Sequence, residues 1–382
     1  MRITFVISSL GGGGAERVAT VMANYWAAKG WQITILAVSS GRPPVYDLHT
    51  DVVYQEMHAL LPARSSAWPQ ATLTRLINDC STAERAVIVA DLGLILALGH
   101  AIRVTAPDMI ISFLDITNLR VLLATLEANL PVIVTEHSDP FHNSIGEGRE
   151  RLRRRLYPKA KYVTVLTEEA ARYFSATVGD RVRVIPNPVL APGDGFANRK
   201  ARGARLRLLA MGRLSPEKGF DLLLRAFARI ADRQPRWHLE ICGEGALQPY
   251  LTELAGELGL AERVRLPGFT RTPYEAMRQA DLFVVSSLCE GFSNVLIEAM
   301  ACGLAAISFD CPSGPRHIIR DGIDGLLVPP RDVAALATAL DRLMADEVER
   351  QRLASRAAEV IERFGVERVM RMWQALVLDQ DV

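Results

Sequence analysis

Ile3-Thr4-Phe5-Val6-Ile7-Ser8 runs into Ser9-Leu10-Gly11-Gly12-Gly13-Gly14-Ala15-Glu16-Arg17. A β-rich apolar run breaks at four glycines, and a helical pattern begins. Val18, Val21, Met22, Tyr25 and Trp26 recur at helical spacing up to Gly30, and residues 33–38 supply a second apolar run. Strand, helix and strand in this order read as a βαβ unit. Further strand-like runs fall at 109–113, 132–135, 162–166 and 182–185.

The pattern then breaks. Pro186, Pro188, Pro192, Gly193 and Gly195 crowd together ahead of a basic stretch at 199–207, which reads as an exposed linker. It restarts with runs at 206–211, 239–242, 282–286 and 306–309. A chain of 382 residues suits two α/β domains of roughly 180 residues each. The expected architecture is therefore α/β, with two Rossmann-like doubly wound parallel sheets facing a cleft. The expected boundaries are 1–188, a linker at 189–204, 205–365, and a C-terminal helix in 366–382 that crosses back to the first domain.

The apolar share of 49% and charged share of 23% are ordinary for a globular chain. A net charge of +1 gives no case for a nucleic-acid partner. Cys80, Cys242, Cys289, Cys302 and Cys311 are scattered and form no C-x-x-C pair, which points to reduced, buried thiols and a cytoplasmic location. The first ten residues lack the basic run of a signal peptide. The longest apolar run, 86–102, contains Asp91 and is short for a bilayer span, so it reads as a buried or interfacial helix.

Three motifs carry chemistry. Gly13 and Gly14 open the first helix, where glycine lets a ligand approach the backbone and the helix end favours an anion. A dinucleotide fingerprint would want a third glycine where Glu16 stands, and an acidic residue where Ser39 and Ser40 end the second strand. A P-loop would want Gly-Lys-Ser/Thr. A substrate-facing loop and a plain tight turn remain. The second motif, Gly212-Arg213-Leu214-Ser215-Pro216-Glu217-Lys218-Gly219, follows a strand and sets two cations at a ligand edge. Arg and Lys together can stabilise a departing diphosphate in place of a metal, although a solvated basic loop has the same composition. The third is Glu290-Gly291-Phe292-Ser293-Asn294-Val295-Leu296-Ile297-Glu298, with a helix starting near Ser293. Backbone N–H groups at 291–295 would face an anion, and Glu298 could grip vicinal hydroxyls. Isolated glutamates in this setting would only complement the helix dipole.

With Cys242-Gly243-Glu244-Gly245 and Pro267-Gly268-Phe269 between them, these motifs run in an order that resembles glycosyltransferase family 4, the retaining GT-B enzymes. The resemblance covers nearly the whole chain. It implies that Arg213 and Lys218 bind the diphosphate, that Glu298 holds the nucleotide ribose, and that Glu290 with the backbone of Gly291, Phe292, Ser293, Asn294 and Val295 meets the sugar and phosphate. It places Gly243, Gly268 and Phe269 on the nucleotide side and makes His137, after the 132–135 run, an active-site histidine. It further implies a UDP-sugar donor, no metal and no other cofactor, and a glycan or polyprenyl-linked glycan acceptor. Cys311-Pro312-Ser313-Gly314-Pro315-Arg316 resembles a subgroup that builds bacterial polysaccharides and lipid-linked oligosaccharides. His317 and Ala305 stand where relatives commonly carry Glu and Pro, which bears on donor identity. A nucleotide-sugar epimerase, or a non-catalytic sugar-nucleotide-binding subunit, is the rival reading.

Arg149, Arg151, Arg153, Arg154, Arg155, Lys159 and Lys161 lie close together. They read either as a solvated helical face or as a patch for an anionic membrane surface, which would hold the enzyme peripherally on the inner face of the plasma membrane.

Overall fold

The computed structural model describes residues 1–39, 41, 43–60, 71–193 and 205–380. Ser40 and the linker segment 194–204 lie outside the described residues. The chain divides into two compact units, Met1–Pro186 and Asn187–Val382.

The first unit holds strands β1 (Arg2–Ile7), β2 (Gln32–Ala37), β3 (Val53–Glu56), β4 (Met109–Phe113), β5 (Val132–Thr135), β6 (Tyr162–Val165) and β7 (Val182–Val184). They form one sheet in the order β3-β2-β1-β4-β5-β6-β7, with every pair parallel. The second holds β8 (Leu206–Met211), β9 (Trp237–Cys242), β10 (Val264–Gly268), β11 (Leu282–Val285), β12 (Ala306–Phe309) and β13 (Leu326–Val328), in the order β10-β9-β8-β11-β12-β13, again all parallel. Both orders reverse once, at β1/β4 and at β8/β11. Parallel sheets of this kind take ligands outside the strands' carboxyl ends at such a switch point.

Helices cover both faces of a parallel sheet, so its inner strands are apolar throughout. Every residue of β4, β5, β11 and β12 is buried. That burial is why these strands stand out in the sequence as unbroken runs. Three strands did not stand out: β3, β10 and β13. All three are sheet edges, and each is partly exposed.

The 86–102 run lies within a 24-residue helix, Thr82–Thr105. It starts at a capping box in which Ser81 and Glu84 satisfy each other's backbone N–H groups. Ile88, Ile95, Leu98, Ala101 and Ile102 enter the core of the first unit. Among the described residues it is the one helix long and apolar enough to cross a membrane, and a third of its most apolar 18-residue window is buried. Val89 and Val104 stay exposed. No disulfide joins the five cysteines, and all but Cys289 are buried.

Candidate functional site

In the second unit, three loops at the strands' carboxyl ends are held together by their backbones. Gly212 N–H donates to Cys242 O at 3.0 Å, Leu214 N–H to Glu244 O at 2.8 Å, Gly243 N–H to Gly268 O at 2.8 Å, and Leu288 N–H to Glu217 O at 2.8 Å. The contact is too close for side chains. A Cβ on Gly243 would lie 1.8 Å from Gly212 O, and one on Gly219, at φ +59°, would lie 2.3 Å from Ser286 O. Gly243, expected on the nucleotide side, and Gly219 thus first permit the close backbone approach that brings the β8, β9 and β11 loops to one edge.

This framework unites Lys218 with Glu290, 72 residues apart. Lys218 Nζ donates to Glu290 Oε1 at 2.7 Å, and Ser287 Oγ donates to the same oxygen at 2.7 Å. Ser286 Oγ donates to Lys218 O at 2.8 Å and pins the lysine's backbone. Both pair members are partly solvated, and pairs of this type contribute roughly 0.2–1 kcal/mol. Hydrogen bonds to a charged ligand reach about 1.5–3 kcal/mol, so an incoming phosphate can win the lysine. Arg213 is exposed and has no ion-pair partner among the described residues.

The helix Asn294–Ala301 begins as expected, with Ser293 at the N-cap position, but no side chain caps it. Ser293 Oγ is buried and finds no partner among the described residues. The first N–H groups of any helix lack intrahelical acceptors. Asn187 Nδ2 donates to Asn294 Oδ1 at 2.8 Å, and Ser313 Oγ donates to Gly291 O at 3.4 Å. Glu298 is buried one turn into this helix. Phe292 is buried edge-on against Phe364, with centroids 5.3 Å apart, so only its backbone serves the loop. Phe269 is exposed just past β10, and Gly268 takes φ +88°. Arg316 is engaged by Asp310 through two bonds of 2.9 and 3.0 Å.

In the first unit, the glycine turn leads from β1 into the helix Gly14–Ala28. Glu16 folds back over it, and a Cβ on Gly13 would lie 2.3 Å from Glu16 Oε2. A carboxylate at a helix N-terminus already complements the dipole. An anionic ligand would meet repulsion there, whereas a hydroxyl would find an acceptor. Tyr46, which no sequence motif singles out, donates to Gly12 O at 3.2 Å and carries the Arg17 guanidinium over its ring. Across the switch point Leu114 takes φ +74° with ψ 145°, a sparsely populated region that costs a non-glycine residue roughly 1–3 kcal/mol and clusters at working sites.

His137 lies two residues past β5. Its ring stacks on Phe113 at 5.7 Å, and Nε2 lies 3.1 Å from Thr135 Oγ1. Burial pushes the imidazole down to about 4. The adjacent Glu136 is fully buried, and burial pushes its carboxyl up to about 7 against the opposing pull of Arg153 and Tyr157. Tyr157 Oη donates to Glu136, and Asn118 Nδ2 donates to Thr135 O at 2.9 Å.

The basic stretch is not a uniform charged face. Arg153 is buried, bonded to Glu150 and to Tyr173 Oη at 3.0 Å, and 4.0 Å from Glu136. Its neighbours are largely compensated: Arg151 by Glu147 at 2.6 Å, Arg154 by Glu150 at 3.2 Å and Arg155 by Glu84 at 3.2 Å. Arg153 therefore leaves the candidate membrane patch and joins the core.

Residues 196–360 match the family model described as glycosyl transferases group 1, and residues 12–190 match that of glycosyltransferase family 4. A Campylobacter jejuni protein named GalNAc-alpha-(1->4)-GalNAc-alpha-(1->3)-diNAcBac-PP-undecaprenol alpha-1,4-N-acetyl-D-galactosaminyltransferase is 27% identical over 99% of both chains. A Streptomyces coelicolor exopolysaccharide phosphotransferase is 33% identical over 66% of this chain, which spans only 27% of that protein. Among solved structures, Staphylococcus aureus TarM, in a complex that includes UDP, superposes with a TM-score of 0.78 at 15% identity over 98% of this chain and 99% of its own. Anabaena HepE, in complex with UDP and glucose, gives 0.75 at 21% identity over 99% and 100%.

Proposed function

Because this chain belongs to glycosyltransferase family 4 and has its GT-B fold, we propose that it transfers a hexose or N-acetylhexosamine from a UDP-sugar to a lipid-linked glycan in cell-surface polysaccharide or glycoconjugate assembly, with retention at the anomeric carbon and without a metal. The observation that carries this reading is the Lys218–Glu290–Ser287 cluster beside Arg213 at the β8/β11 switch point. As the sugar–phosphate bond breaks, negative charge grows on the diphosphate. Arg213 and Lys218 are the cations available to stabilise it where it grows, which is where such groups accelerate a reaction most. Glu290 is then released to accept from sugar hydroxyls, while Glu298 holds the ribose. In this mechanism the acceptor hydroxyl bonds to the anomeric carbon on the face the diphosphate leaves, and the departing phosphate oxygen takes the hydroxyl proton. No enzymic nucleophile is required.

The lipid-linked acceptor is supported by the name of the full-length Campylobacter relative. Peripheral attachment at the cytoplasmic face of the plasma membrane belongs to the same reading, with the exposed residues Val89 and Val104 of the helix Thr82–Thr105 as its apolar contact. A screen of UDP-, GDP- and TDP-sugars for thermal stabilisation, followed by transfer to a polyprenyl-diphosphate-linked glycan in EDTA, tests the whole. Saturating a site at 100 times its dissociation constant adds about 2.7 kcal/mol, well within reach of a melting curve. Stabilisation by none of these nucleotides, or transfer that stops in EDTA and resumes with manganese, contradicts the reading.

A further inference from the structure

A loop that meets phosphate through its backbone must hold its shape when empty, or binding has to order it first. Gly291, Phe292 and Ser293 lead into the helix Asn294–Ala301, and Val295 lies in its first turn. The N–H groups of these four residues find no backbone acceptor among the described residues. They do nothing to fasten the loop, so its neighbours must. Ser313 Oγ donates to Gly291 O at 3.4 Å, and a Cβ on Gly314 would come within 3.1 Å of Glu290 Cβ. Asn187 Nδ2 donates to Asn294 Oδ1 at 2.8 Å. Between these two supports, the buried ring of Phe292 meets Phe364 edge to face, with 79° between the planes.

Phe364 ends the helix Val360–Phe364, whose five residues are too few to be stable alone. Its ring is only partly buried, so core burial does not account for its place. Contacts on either side of the ring fix it. Val189 N–H donates to Phe364 O at 2.8 Å, and Val189 bridges to Gly365. The Arg363 guanidinium lies over the Phe364 ring, 5.2 Å from its centroid, and donates to Asp324 at 3.2 Å. Asp324 is fully buried and also accepts from the backbone N–H and the Nε of Arg320. A buried carboxylate gripped by several charge-assisted donors is a firm anchor, because leaving it unpaired is expensive. Phe292 therefore meets a fixed ring, at a distance where aromatic pairs attract.

We propose that Phe364 is a positioning residue for the phosphate-facing loop: anchored through Arg363 on Asp324, its ring braces Phe292 and so keeps the N–H groups of Gly291, Phe292 and Ser293 arranged for a diphosphate. The diphosphate rests on the glycosyltransferase reading above, while the bracing of the loop is a property of the chain itself. Phe364 acts through Phe292 and not on the ligand.

Two measurements separate those layers. Backbone 15N relaxation reports the brace without any ligand. Order parameters at residues 291–293 should fall in Phe364→Ala and match the parent in Phe364→Tyr, while strands β8 and β11 stay rigid. Unchanged order parameters in Phe364→Ala, or a uniform fall through the whole unit, overturn the proposal. The second measurement titrates UDP beside uridine, which shares the nucleoside and lacks the phosphates. Phe364→Ala should lower UDP affinity about tenfold, as one lost hydrogen bond to a charged group would, and leave uridine affinity unchanged. Phe364→Tyr should bind both as the parent does. Phe364→Leu keeps apolar bulk without the ring, and it takes the place of Phe364→Ala in both measurements if the alanine variant does not fold. Equal losses for the two ligands, or no loss of UDP, contradict the positioning role. Failure of the parent to bind UDP defeats the glycosyltransferase reading, and the relaxation data still decide the brace.

Discussion

The two units share a parallel sheet with one reversal of strand order, and they load that switch point differently. In the second unit the ends of β8 and β11 carry ionic groups that stay partly in water: Arg213, Lys218 and Glu290. In the first unit the corresponding edges carry glycines closed over by Glu16, a strained Leu114, and the adjacent His137 and Glu136, both held by burial toward their neutral forms. The scaffold is thus indifferent to its cargo. What differs is whether charge is displayed or suppressed. Displayed cations suit a diphosphate; suppressed charge beside a hydrogen-bond acceptor suits a polyol.

The steepest loss should come from the second unit. Arg213→Ala should lower the transfer rate by about 10² or more, the usual cost of one lost transition-state donor. A fall of less than tenfold would mean that the displayed charge is not at the leaving group. Next, Glu298→Gln should weaken free UDP by about tenfold to a hundredfold, in line with charge-assisted bonds of roughly 1.5–3 kcal/mol. Glu290→Gln should leave UDP affinity unchanged or slightly improved, since it releases Lys218 from its 2.7 Å partner. Equal losses in both variants would break the division between ribose and sugar.

In the first unit the response to watch is pH. Glu136 has a raised folded pKa, about 7 against an ordinary 4.5. Its contribution to stability is complete below pH 4.5 and is lost as pH rises toward 7. His137 has a lowered one, about 4 against 6.5. Its contribution is complete above pH 6.5 and is lost as pH falls toward 4. Each tenfold change in proton affinity is worth about 1.4 kcal/mol, so two adjacent residues oppose one another over nearly the same window. The parent's thermal midpoint should therefore vary little between pH 4.5 and 6.5 on their account. Glu136→Gln should make it rise with pH, and His137→Phe should make it fall. Parallel profiles for both variants and the parent would show that neither charge is suppressed.

The mildest change concerns the membrane. Val89→Asp with Val104→Asp alters only exposed positions, so the fold should hold while pelleting with anionic vesicles falls several-fold. Undiminished pelleting would rule out this helix as the membrane contact.

The core strands were legible in the sequence because burial on both faces forces continuous apolar runs. Edge strands have no such requirement, and of the four only β7 was read while β3, β10 and β13 were missed. Motif order displayed Arg213, Lys218, Glu290 and Glu298, but not the pairing of Lys218 with Glu290, which depends on how two loops meet. Arg153 is the clearest failure. Nothing in a run of arginines marks the one whose helical position turns it inward toward Glu150 and Glu136, while Arg151, Arg154 and Arg155 stay nearer the surface. Tyr46 was equally silent, since its role depends on a loop folding over Gly12.

If charge displayed by the second unit, and no metal, holds the diphosphate, calorimetric titration of UDP in EDTA should reveal it, with the parent set beside Arg213→Ala/Lys218→Ala. Clear binding by the parent is expected, with a loss of at least about tenfold in the double variant, two charge-assisted contacts being removed. Equal affinity in the two proteins, or binding by the parent that appears only when a divalent cation is restored, would contradict it.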